Sequence, residues 1–467
     1  MKDLAALAKP QFVPPLHKTF APASLADREY LKLVDESGKG EPLVFAVERG
    51  GGQISVFSTR CFPEGHEKSN LSFEYAERVV KMLLWQRGGW KVTVGGPKSV
   101  GEHIKRVYSA TGARKFDFDF MANVYENPFT VVVTTADQIP APQEGTVKLG
   151  GHLEGCRIGF DLGASDRKVS AVIDGEAVYT EEVNWDPRGN SDPTYHYNEI
   201  NAALKSAASH MPRVDAIGGS SAGIYLNNRV RMASLFRGVP KELYDTKLAT
   251  LFFDLQKEWG GVPLDVVNDG EVTALAAAMG LNDTAVLGIA LGSSEAGGYV
   301  TLDGEITTWL NELAFCPVDY DVNGGVDEWS GDTGTGATYF SQQAVFRLAP
   351  AAGIPIDDSL GLAEKLKSVQ ELLQAGDERA LKIWECIGIY MGYGIAYYAE
   401  FYSIKHVLIL GRVTSGDGGN IILNKANEVL KAEFPELAKS IKLHLPDEKT
   451  RRVGQAVAAA SLPELKK

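Results

Sequence analysis

Two adjacent polar residues, Asn268 and Asp269, follow an apolar run in the segment VPLDVVNDGEVTALAAAMG. The pattern predicts a strand that delivers both residues to the N-terminus of a helix. A carboxylate at such a point can accept the proton of an attacking hydroxyl group, and the neighbouring amide can bind a hydroxyl group of a substrate. Asn and Asp are also favoured N-cap residues, so a purely structural role for the pair stays open.

A first turn with phosphate-binding chemistry occupies residues 161–168, with the sequence DLGASDRK. Gly163 and the small residue after it let backbone N–H groups approach an anion closely. Asp161, at the end of a strand, can hold a hydrated Mg²⁺, which takes few protein ligands. Ser165 and Lys168 can donate to phosphate oxygens. The alternative is a charged surface hairpin.

A second turn, LGSSEAGG at residues 291–298, repeats this plan. Gly292, Ser293 and Gly297 are its candidate phosphate-binding residues. Glu295 is an awkward neighbour for a triphosphate, and it either points away or tunes the site. Two such hairpins, each opening an α/β unit, predict that one nucleotide is contacted from both sides. GxxxxGK[ST] and GxGxxG motifs are absent from the sequence.

Composition and charge limit the function classes. The 467 residues are 44% hydrophobic and 23% charged, with a net charge of -13. Residues 1–150 carry 19 basic and 17 acidic side chains, and the remainder carries 28 and 43. Neither part has the basic excess of a nucleic-acid-binding protein. The four cysteines are far apart without a CxxC pair, which suggests neither a zinc cluster nor a disulfide framework.

Two segments bear on membrane association. The N-terminus, MKDLAALAKPQF, has no long apolar core and reads as neither signal nor anchor. The apolar segment 383–404 contains Glu385, Glu400 and three glycines. Because charges inside a membrane span are costly, we expect a buried helix between two lobes here.

The chain divides into three predicted parts. Residues 1–150 show strand and helix patterns, and a Pro- and Gly-rich linker covers about 139–155. The segment VFAVERGGGQISVF predicts a Gly-turn hairpin in the first part, although its plan resembles the turn at 161–168. From residue 157 two hairpin-first α/β units follow, which predicts a two-lobed architecture with a cleft.

Taken in this order, the motifs resemble those of the sugar kinase, Hsp70 and actin superfamily, and most of all the ROK family. The motifs that carry the resemblance are FDLGASDRK, IGGSSAG, VVNDGEVTALAAA, IALGSSEAGGYVTLDGEI and HVLILGRVTSG. It covers residues 157–467. The resemblance implies an α/β, two-lobed actin-like (ribonuclease H-like) ATPase fold with an additional N-terminal α/β domain. The domains would be 1–150, an accessory domain of unknown role, then lobes 157–270 and 271–467.

The resemblance assigns roles residue by residue. Asp269 would be the catalytic base, and the sugar ligands would be Asn268, Gly219, Ser220 and Glu312. Asp161 would hold Mg²⁺ through water. The nucleotide-binding residues would be Asp161, Gly163, Ser165, Lys168, Gly292, Ser293, Gly297 and Gly411.

Departures from the family pattern concern the segment after Glu312. In the family a glycine, a metal-binding histidine and a zinc-holding cysteine cluster follow this glutamate, whereas here LAFC follows. We therefore expect no zinc, and the sugar pocket on this side is in question; Glu312 is otherwise a solvated loop residue. The nearby GDTGTG, 331–336, is either a loop that shapes the pocket or a helix start capped by Thr.

The expected activity is a cytoplasmic, ATP- and Mg²⁺-dependent carbohydrate kinase, hexokinase- or glucokinase-like. Its partner would be a small-molecule sugar, with no nucleic acid and no membrane, and a homodimer is a family-level expectation. Two other functions stay open. One is a non-catalytic sugar or nucleotide sensor on the kinase scaffold, and the other is an ATPase coupled to a partner protein.

Overall fold

The computed structural model describes residues 2–147 and 150–465, so the predicted linker lies partly outside the described residues. The chain forms two compact units. The first contains Met1–Gly145, Ile289–Gly297 and Trp309–Leu445, and the second contains Thr146–Gly288, Gly298–Thr308 and Pro446–Lys467. The boundaries 1–150, 157–270 and 271–467 stay a prediction of domains.

The N-terminal part of the first unit is a four-stranded sheet with helices. Its elements are α1 (Lys2–Ala5), α2 (Ala23–Glu36), β1 (Glu41–Glu48), β2 (Ile54–Cys61), α3 (Ser69–Arg87), β3 (Lys91–Gly95), α4 (Lys98–Val107), α5 (Lys115–Tyr125) and β4 (Thr130–Thr134). The strand order is β2-β1-β3-β4. The predicted Gly-turn hairpin is confirmed, since β1 pairs with β2 antiparallel from Glu41↔Cys61 to Glu48↔Ile54.

The second unit contains a five-stranded sheet. The elements of this unit within residues 146–281 are β5 (Thr146–Val147), β6 (Cys156–Leu162), β7 (Asp166–Ile173), β8 (Glu176–Asn184), α6 (Pro193–Ala208), β9 (Ala216–Ser221), β10 (Ile224–Leu226), β11 (Arg229–Met232), α7 (Lys241–Thr246), α8 (Leu251–Glu258), β12 (Leu264–Asn268) and α9 (Asp269–Leu281). The strand order is β12-β9-β6-β7-β8. β6 pairs antiparallel with β7 but parallel with β9, which is itself parallel to β12.

The remaining elements include two strands that contribute residues to both units. They are β13 (Val286–Leu291), β14 (Glu295–Val300), β15 (Ile306–Thr307), α10 (Gln342–Ala351), α11 (Leu362–Gln374), α12 (Glu378–Tyr398), β16 (His406–Leu410), α13 (Gly418–Glu433), α14 (Pro435–Ser440), β17 (Lys442–His444) and α15 (Glu448–Ala460). In the first unit the neighbours are β17-β16-β13-β14, and in the second unit β13-β14-β15-β5.

Two strand glycines let α15 pack directly on the sheet of the second unit. A Cβ atom at Gly159 on β6 would clash with the carbonyl oxygen of Ala456, and one at Gly218 on β9 with that of Ala459. The helix backbone therefore lies on the strands themselves. On the sheet, Ile158, Phe160 and Ile217 are among the fully buried apolar side chains of the core.

The apolar segment at 383–404 forms most of α12, a helix that is buried in the first unit. It packs against α2, α10, α11 and α13. Among the described residues, no helix has the length and apolar character needed to cross a membrane.

Candidate active site

Polar residues meet at the carboxyl ends of three adjacent strands in the second unit. Asp161 near the end of β6 stands opposite Ser220 on β9, and Ser221 stands opposite Asn268 at the end of β12. Because β6, β9 and β12 are parallel, their carboxyl ends lie at the same end of the sheet, which is the usual place for ligands in α/β sheets. We call this end, with Asp161, Ser220, Asn268 and Asp269, the strand edge. The strand register therefore brings together residues that are far apart in sequence.

Asp161 and Ser220 form a direct contact. The Ser220 hydroxyl donates to Asp161 Oδ1 at 2.6 Å, and both side chains are buried. Burial raises the pKa of Asp161, and this exceeds the opposing effects of the Ser220 hydrogen bond and the Lys168 charge. One oxygen of the Asp161 carboxylate is thus bonded within the chain. The polar atoms here are carboxylate and hydroxyl oxygens, and oxygen ligands suit a hydrated Mg²⁺.

Asp269 is the first residue of α9. Its Oδ1 accepts from the Gly270 N–H at 3.0 Å. Burial, and then the nearby Asp161 carboxylate, raise the pKa of Asp269 to about 6. A carboxylate that titrates near neutral pH accepts a proton more readily than an ordinary one, which is the property that a general base needs.

Asn268 serves as the N-cap of α9 and fastens a loop. Its Oδ1 accepts from the Gly270 N–H at 2.8 Å, and its Nδ2 donates to the Gly223 carbonyl at 2.7 Å. The structural reading of this residue as a cap is therefore confirmed. An amide offers a second donor hydrogen and a second acceptor lone pair, so the cap is compatible with a ligand contact, which stays a prediction.

Sequence reasoning missed three residues that support this edge. The Tyr225 hydroxyl lies 2.6 Å from Ser221 Oγ, next to Asn268 in the sheet. Gln455 on α15 donates to Thr273 Oγ1 at 2.6 Å, and that hydroxyl donates to the Asp269 carbonyl at 2.8 Å. Gln455 and Thr273 are 182 residues apart, and no local motif marks such a pair.

The first predicted phosphate turn is closed by its own hydrogen bonds. The Gly163 N–H donates to the Asp166 carbonyl at 2.9 Å, and Ser165 Oγ donates to Asp166 Oδ2 at 2.9 Å. Ser165 is exposed, and 42% of the Lys168 side chain is exposed, with its Nζ 3.6 Å from Asp166 Oδ1. Gly219 lies inside β9, where a side chain would clash with the Phe160 ring.

Residues 291–297 of the second predicted turn lie in the first unit. The Gly292 N–H donates to the Ser294 carbonyl at 3.1 Å, and the Gly292 carbonyl accepts from the N–H of Gln342 at 3.0 Å. The Ser293 carbonyl accepts from Gln343 Nε2 at 3.3 Å. The structure thus joins this turn to the start of α10.

Two further glycines of this predicted site permit close packing in the first unit. Gly411 has a φ of 103°, and a Cβ atom there would lie 2.5 Å from the Leu291 carbonyl oxygen. A Cβ atom at Gly297 would lie 2.6 Å from the Leu313 side chain. The structure therefore places Gly411 beside the residue that precedes Gly292.

Glu295 is buried in the interior of the first unit. Its Oε1 accepts from the Tyr398 hydroxyl at 3.0 Å, and its Oε2 has no hydrogen-bond partner among the described residues. A side chain at Gly336 would clash with Oε2. Burial raises the pKa of Glu295 to about 8. The hydrogen bond from Tyr398 lowers the pKa, but its effect is smaller than that of burial. Of the two alternatives, in which Glu295 points away from the turn or tunes the site, the buried side chain favours the first.

Glu312 lies in the first unit and is partly exposed. Its N–H donates to the Trp85 carbonyl at 2.9 Å, and its own carbonyl accepts from Phe315. Of the two alternatives for 331–336, a helix start capped by Thr is not supported: Thr335 precedes a short 3₁₀ helix, Gly336–Thr338, without a side-chain cap, and Ser341 caps α10.

A second cluster of ligand types lies elsewhere in the first unit. His17, Asp319 and Asp321 each place one ligand atom within 4.8 Å of the others. His17 Nδ1 lies 3.0 Å from the Tyr390 hydroxyl and Nε2 lies 3.2 Å from Asp321 Oδ2. The Tyr339 hydroxyl donates to Asp319 Oδ2 at 2.5 Å. These polar atoms are already paired within the chain.

The fold is similar to solved ROK structures. A ROK family transcriptional regulator, a homologue of the E. coli MLC protein, aligns over 66% of this chain and 79% of its own with 18% identity and a TM-score of 0.53. A ROK family glucokinase from Streptomyces griseus in complex with glucose and AMPPNP aligns over 66% and 99%, with 19% identity and a TM-score of 0.48. A ROK hexokinase from Thermus thermophilus aligns over 65% and 97%, with 19% identity and a TM-score of 0.49.

No family model matches the sequence. No curated protein matches it either. The likeness to the regulator is therefore a likeness of fold, and it confirms the predicted fold class. The chain is an α/β protein with the actin-like fold of ROK family structures.

Proposed function

We propose that this chain is a divergent member of the ROK family and an ATP- and Mg²⁺-dependent kinase that phosphorylates a sugar hydroxyl. One observation carries the proposal: Asp269, whose pKa is raised to about 6, stands at the strand edge that also holds Asp161 and Ser220. A base and a metal-binding carboxylate at one edge of the sheet are the parts that phosphoryl transfer to an alcohol requires.

The proposed reaction uses these residues in separate roles. Asp269 accepts the proton of the sugar hydroxyl as its oxygen forms a bond to the γ-phosphorus, and the bond from that phosphorus to the ADP oxygen breaks. Asn268 orients the sugar, and Glu312 is a further ligand. Ser220, whose buried hydroxyl donates to Asp161, and Gly219, inside β9, support this end of the sheet behind the proposed sugar contacts. Asp161 would hold Mg²⁺, which would supply neutralisation of phosphate charge when bound. The turn that contains Gly163, Ser165 and Lys168 binds phosphate, and Gly292, Ser293, Gly297 and Gly411 bind the nucleotide.

The similarity of fold to the ROK family transcriptional regulator, with a TM-score of 0.53, supports a second candidate function. A non-catalytic sugar or nucleotide sensor on the kinase scaffold would bind its ligand without turnover. A partner-coupled ATPase would hydrolyse ATP without a sugar. A cytoplasmic location and a homodimer also remain predictions.

The test measures ADP release from ATP and Mg²⁺ across hexoses, N-acetylhexosamines and their derivatives. Asp269→Asn is compared with Asp254→Asn, an exposed carboxylate on α8 of the same unit. We expect one sugar class to stimulate release in the wild type and in Asp254→Asn, and the stimulation to be lost in Asp269→Asn. Sugar-independent release would support the ATPase. Sugar binding by calorimetry without release across the panel would support the sensor.

A further inference from the structure

The loop around Glu312 is bonded to the end of a helix from the N-terminal part of the chain. We call residues 309–315 the Glu312 loop. The N–H groups of Leu310, Asn311 and Glu312 donate to three consecutive carbonyls of α3, those of Arg87, Gln86 and Trp85, at 3.3, 2.9 and 2.9 Å. The last carbonyls of a helix have no partner within it, so the loop satisfies groups that α3 leaves open.

The helix ends where the loop begins to lie against it. Gly88 follows α3 with a φ of 72°, and its N–H donates to the Leu84 carbonyl at 2.9 Å. A Cβ atom at Gly88 would lie 3.1 Å from Leu310 Cβ and would clash with the Tyr125 hydroxyl. Glycine is therefore required both by the backbone conformation and by the close approach of the loop.

Side chains of α3 also contact both ends of the Glu312 loop. The Arg87 guanidinium carbon lies 3.8 Å from the centre of the Trp309 ring. Glu144 accepts from Arg87 at 3.2 Å and from Trp309 Nε1 at 3.1 Å. At the other end the Trp85 ring stacks on Phe315, with centroids 4.1 Å apart. Glu312 is thus bracketed by contacts three residues to either side.

Trp85 is itself fixed by a buried ionic cluster. Its Nε1 donates to Asp117 Oδ1 at 2.6 Å, and Lys81 Nζ lies 3.0 Å from the same oxygen. Lys81 also lies 3.1 Å from Asp332, a residue of the GDTGTG segment. The helices α3 and α5 therefore hold the Glu312 loop and the following segment as one packed assembly.

We propose that the C-terminal end of α3, with Trp85 and Arg87, is the positioning element for Glu312. The inference rests on the proposed function, in which Glu312 binds the sugar. It gives residues 1–145 a role in that function: they supply the surface that sets the backbone and the direction of a sugar-binding carboxylate. Trp85 and Arg87 act through Glu312 and are positioning residues rather than catalytic ones.

The expected consequence is selective. A loss of the Arg87 contacts leaves the Trp309 end of the loop without its cation and lets Glu312 shift. Small displacements of a binding group cost much of its contribution, so we expect the KM for the sugar to rise about tenfold in Arg87→Met. The KM for ATP and kcat should stay within about twofold of the wild type. The variant loses a sugar contact that is equally strong in the ground state and the transition state, and such a loss raises only the KM for the sugar.

The matched control is Arg60→Met. Arg60 lies on β2 in the same unit and forms an ion pair with Asp35 on α2, away from the Glu312 loop. Arg87→Lys keeps a cation near Trp309 but loses the planar guanidinium and its separate donors, so we expect a sugar KM between those of the wild type and Arg87→Met. A sugar KM that stays at the wild-type value in Arg87→Met, or that rises equally in Arg60→Met, would overturn the proposal.

A readout without catalysis separates this inference from the proposed function. Hydrogen exchange reports whether the N–H groups of Leu310, Asn311 and Glu312 remain bonded to α3. We expect faster exchange of these amides in Arg87→Met and in Trp85→Leu, and wild-type rates in Arg60→Met. If no sugar is a substrate, the proposed function fails, while unchanged protection in Arg87→Met would overturn the positioning role by itself. Arg87→Met decides the question if Trp85→Leu does not fold.

Discussion

The strand edge of the second unit and the Glu312 loop of the first unit are built in different ways. At the strand edge, Asp161, Ser220 and Asn268 are placed by parallel register, and each is the last or second-to-last residue of its own strand. In the Glu312 loop, three backbone N–H groups are held by a helix end more than two hundred residues earlier in the chain. The first arrangement follows from local motifs, and the second depends on tertiary packing.

The largest expected effect tests the chemistry of the strand edge. Asp269→Asn should lower kcat by roughly 10²–10⁴-fold, the usual contribution of a general base. Its Tm at pH 8 should not fall, because the native carboxylate is itself disfavoured by burial. Steady-state kinetics and thermal unfolding check the two parts. If the activity is lost only because the variant unfolds, Asp269 has a structural role. The contrast between chemistry at the strand edge and positioning at the Glu312 loop then fails.

The pH dependence of the same residue sharpens this prediction. Asp269 acts as a carboxylate, and its pKa is raised to about 6. We therefore expect kcat/KM to rise as the pH increases through 6 and to level off above it. In Asp161→Asn a neighbouring negative charge is removed, so the residual activity should keep its plateau to lower pH. A profile that does not respond to Asp161→Asn would contradict the coupling of the two carboxylates.

The next effect tests the packing around the Glu312 loop. Asp332 lies 3.0 Å from Arg78, 3.1 Å from Lys81 and 2.8 Å from Arg114. Burial alone would raise the pKa of Asp332, but these three cations hold it well below its usual range. Asp332→Asn leaves buried cations without their partner and should cost about 3–5 kcal/mol of unfolding free energy.

Denaturant unfolding at pH 7 measures this loss, with Asp254→Asn as the control. The wild type gains this stability above the ordinary pKa of an aspartate and loses it as the pH falls through the depressed value. The difference between Asp332→Asn and the wild type should therefore shrink in acid. A cost below about 1 kcal/mol at pH 7 would show that the cluster does not hold the segment.

The strand edge was predictable from the sequence because its information is local. The apolar run before Asn268 and Asp269 and the turn after Asp161 mark strand ends, and parallel strands bring such ends together. No local sequence pattern indicates the contacts of the Glu312 loop. Every residue has a backbone carbonyl, so the sequence does not show which carbonyls of α3 accept from the loop, and Arg78 and Asp332 are 254 residues apart. Glu312 is marked by the resemblance of its motif to a family pattern, whereas no sequence pattern marks Trp85 and Arg87, which contact its loop.

A smaller effect concerns Glu295, whose carboxyl group lies inside the first unit. Its pKa is raised from 4.5 to about 8, so the folded state keeps the proton that the unfolded chain releases. The wild type should lose stability as the pH rises from about 4.5 to 8, and Glu295→Gln should not. We expect the Tm of Glu295→Gln to exceed that of the wild type by several degrees at pH 9 and to match or fall below it at pH 5. Equal pH profiles would contradict a buried neutral acid.

The smallest expected effect concerns metal at His17, Asp319 and Asp321, next to the segment that follows the Glu312 loop. His17 is paired with Tyr390 and Asp321, Asp319 accepts from Tyr339, and the Thr19 hydroxyl donates to Asp321 at 2.5 Å. Zn²⁺ would have to displace the His17–Asp321 bond. We therefore expect the Tm of EDTA-treated protein to change by less than about 2 °C on addition of Zn²⁺, since binding at 100 times Kd would add about 2.7 kcal/mol. A larger rise that is lost in His17→Gln would mean that a metal, and not packing and hydrogen bonds alone, fixes this side of the first unit.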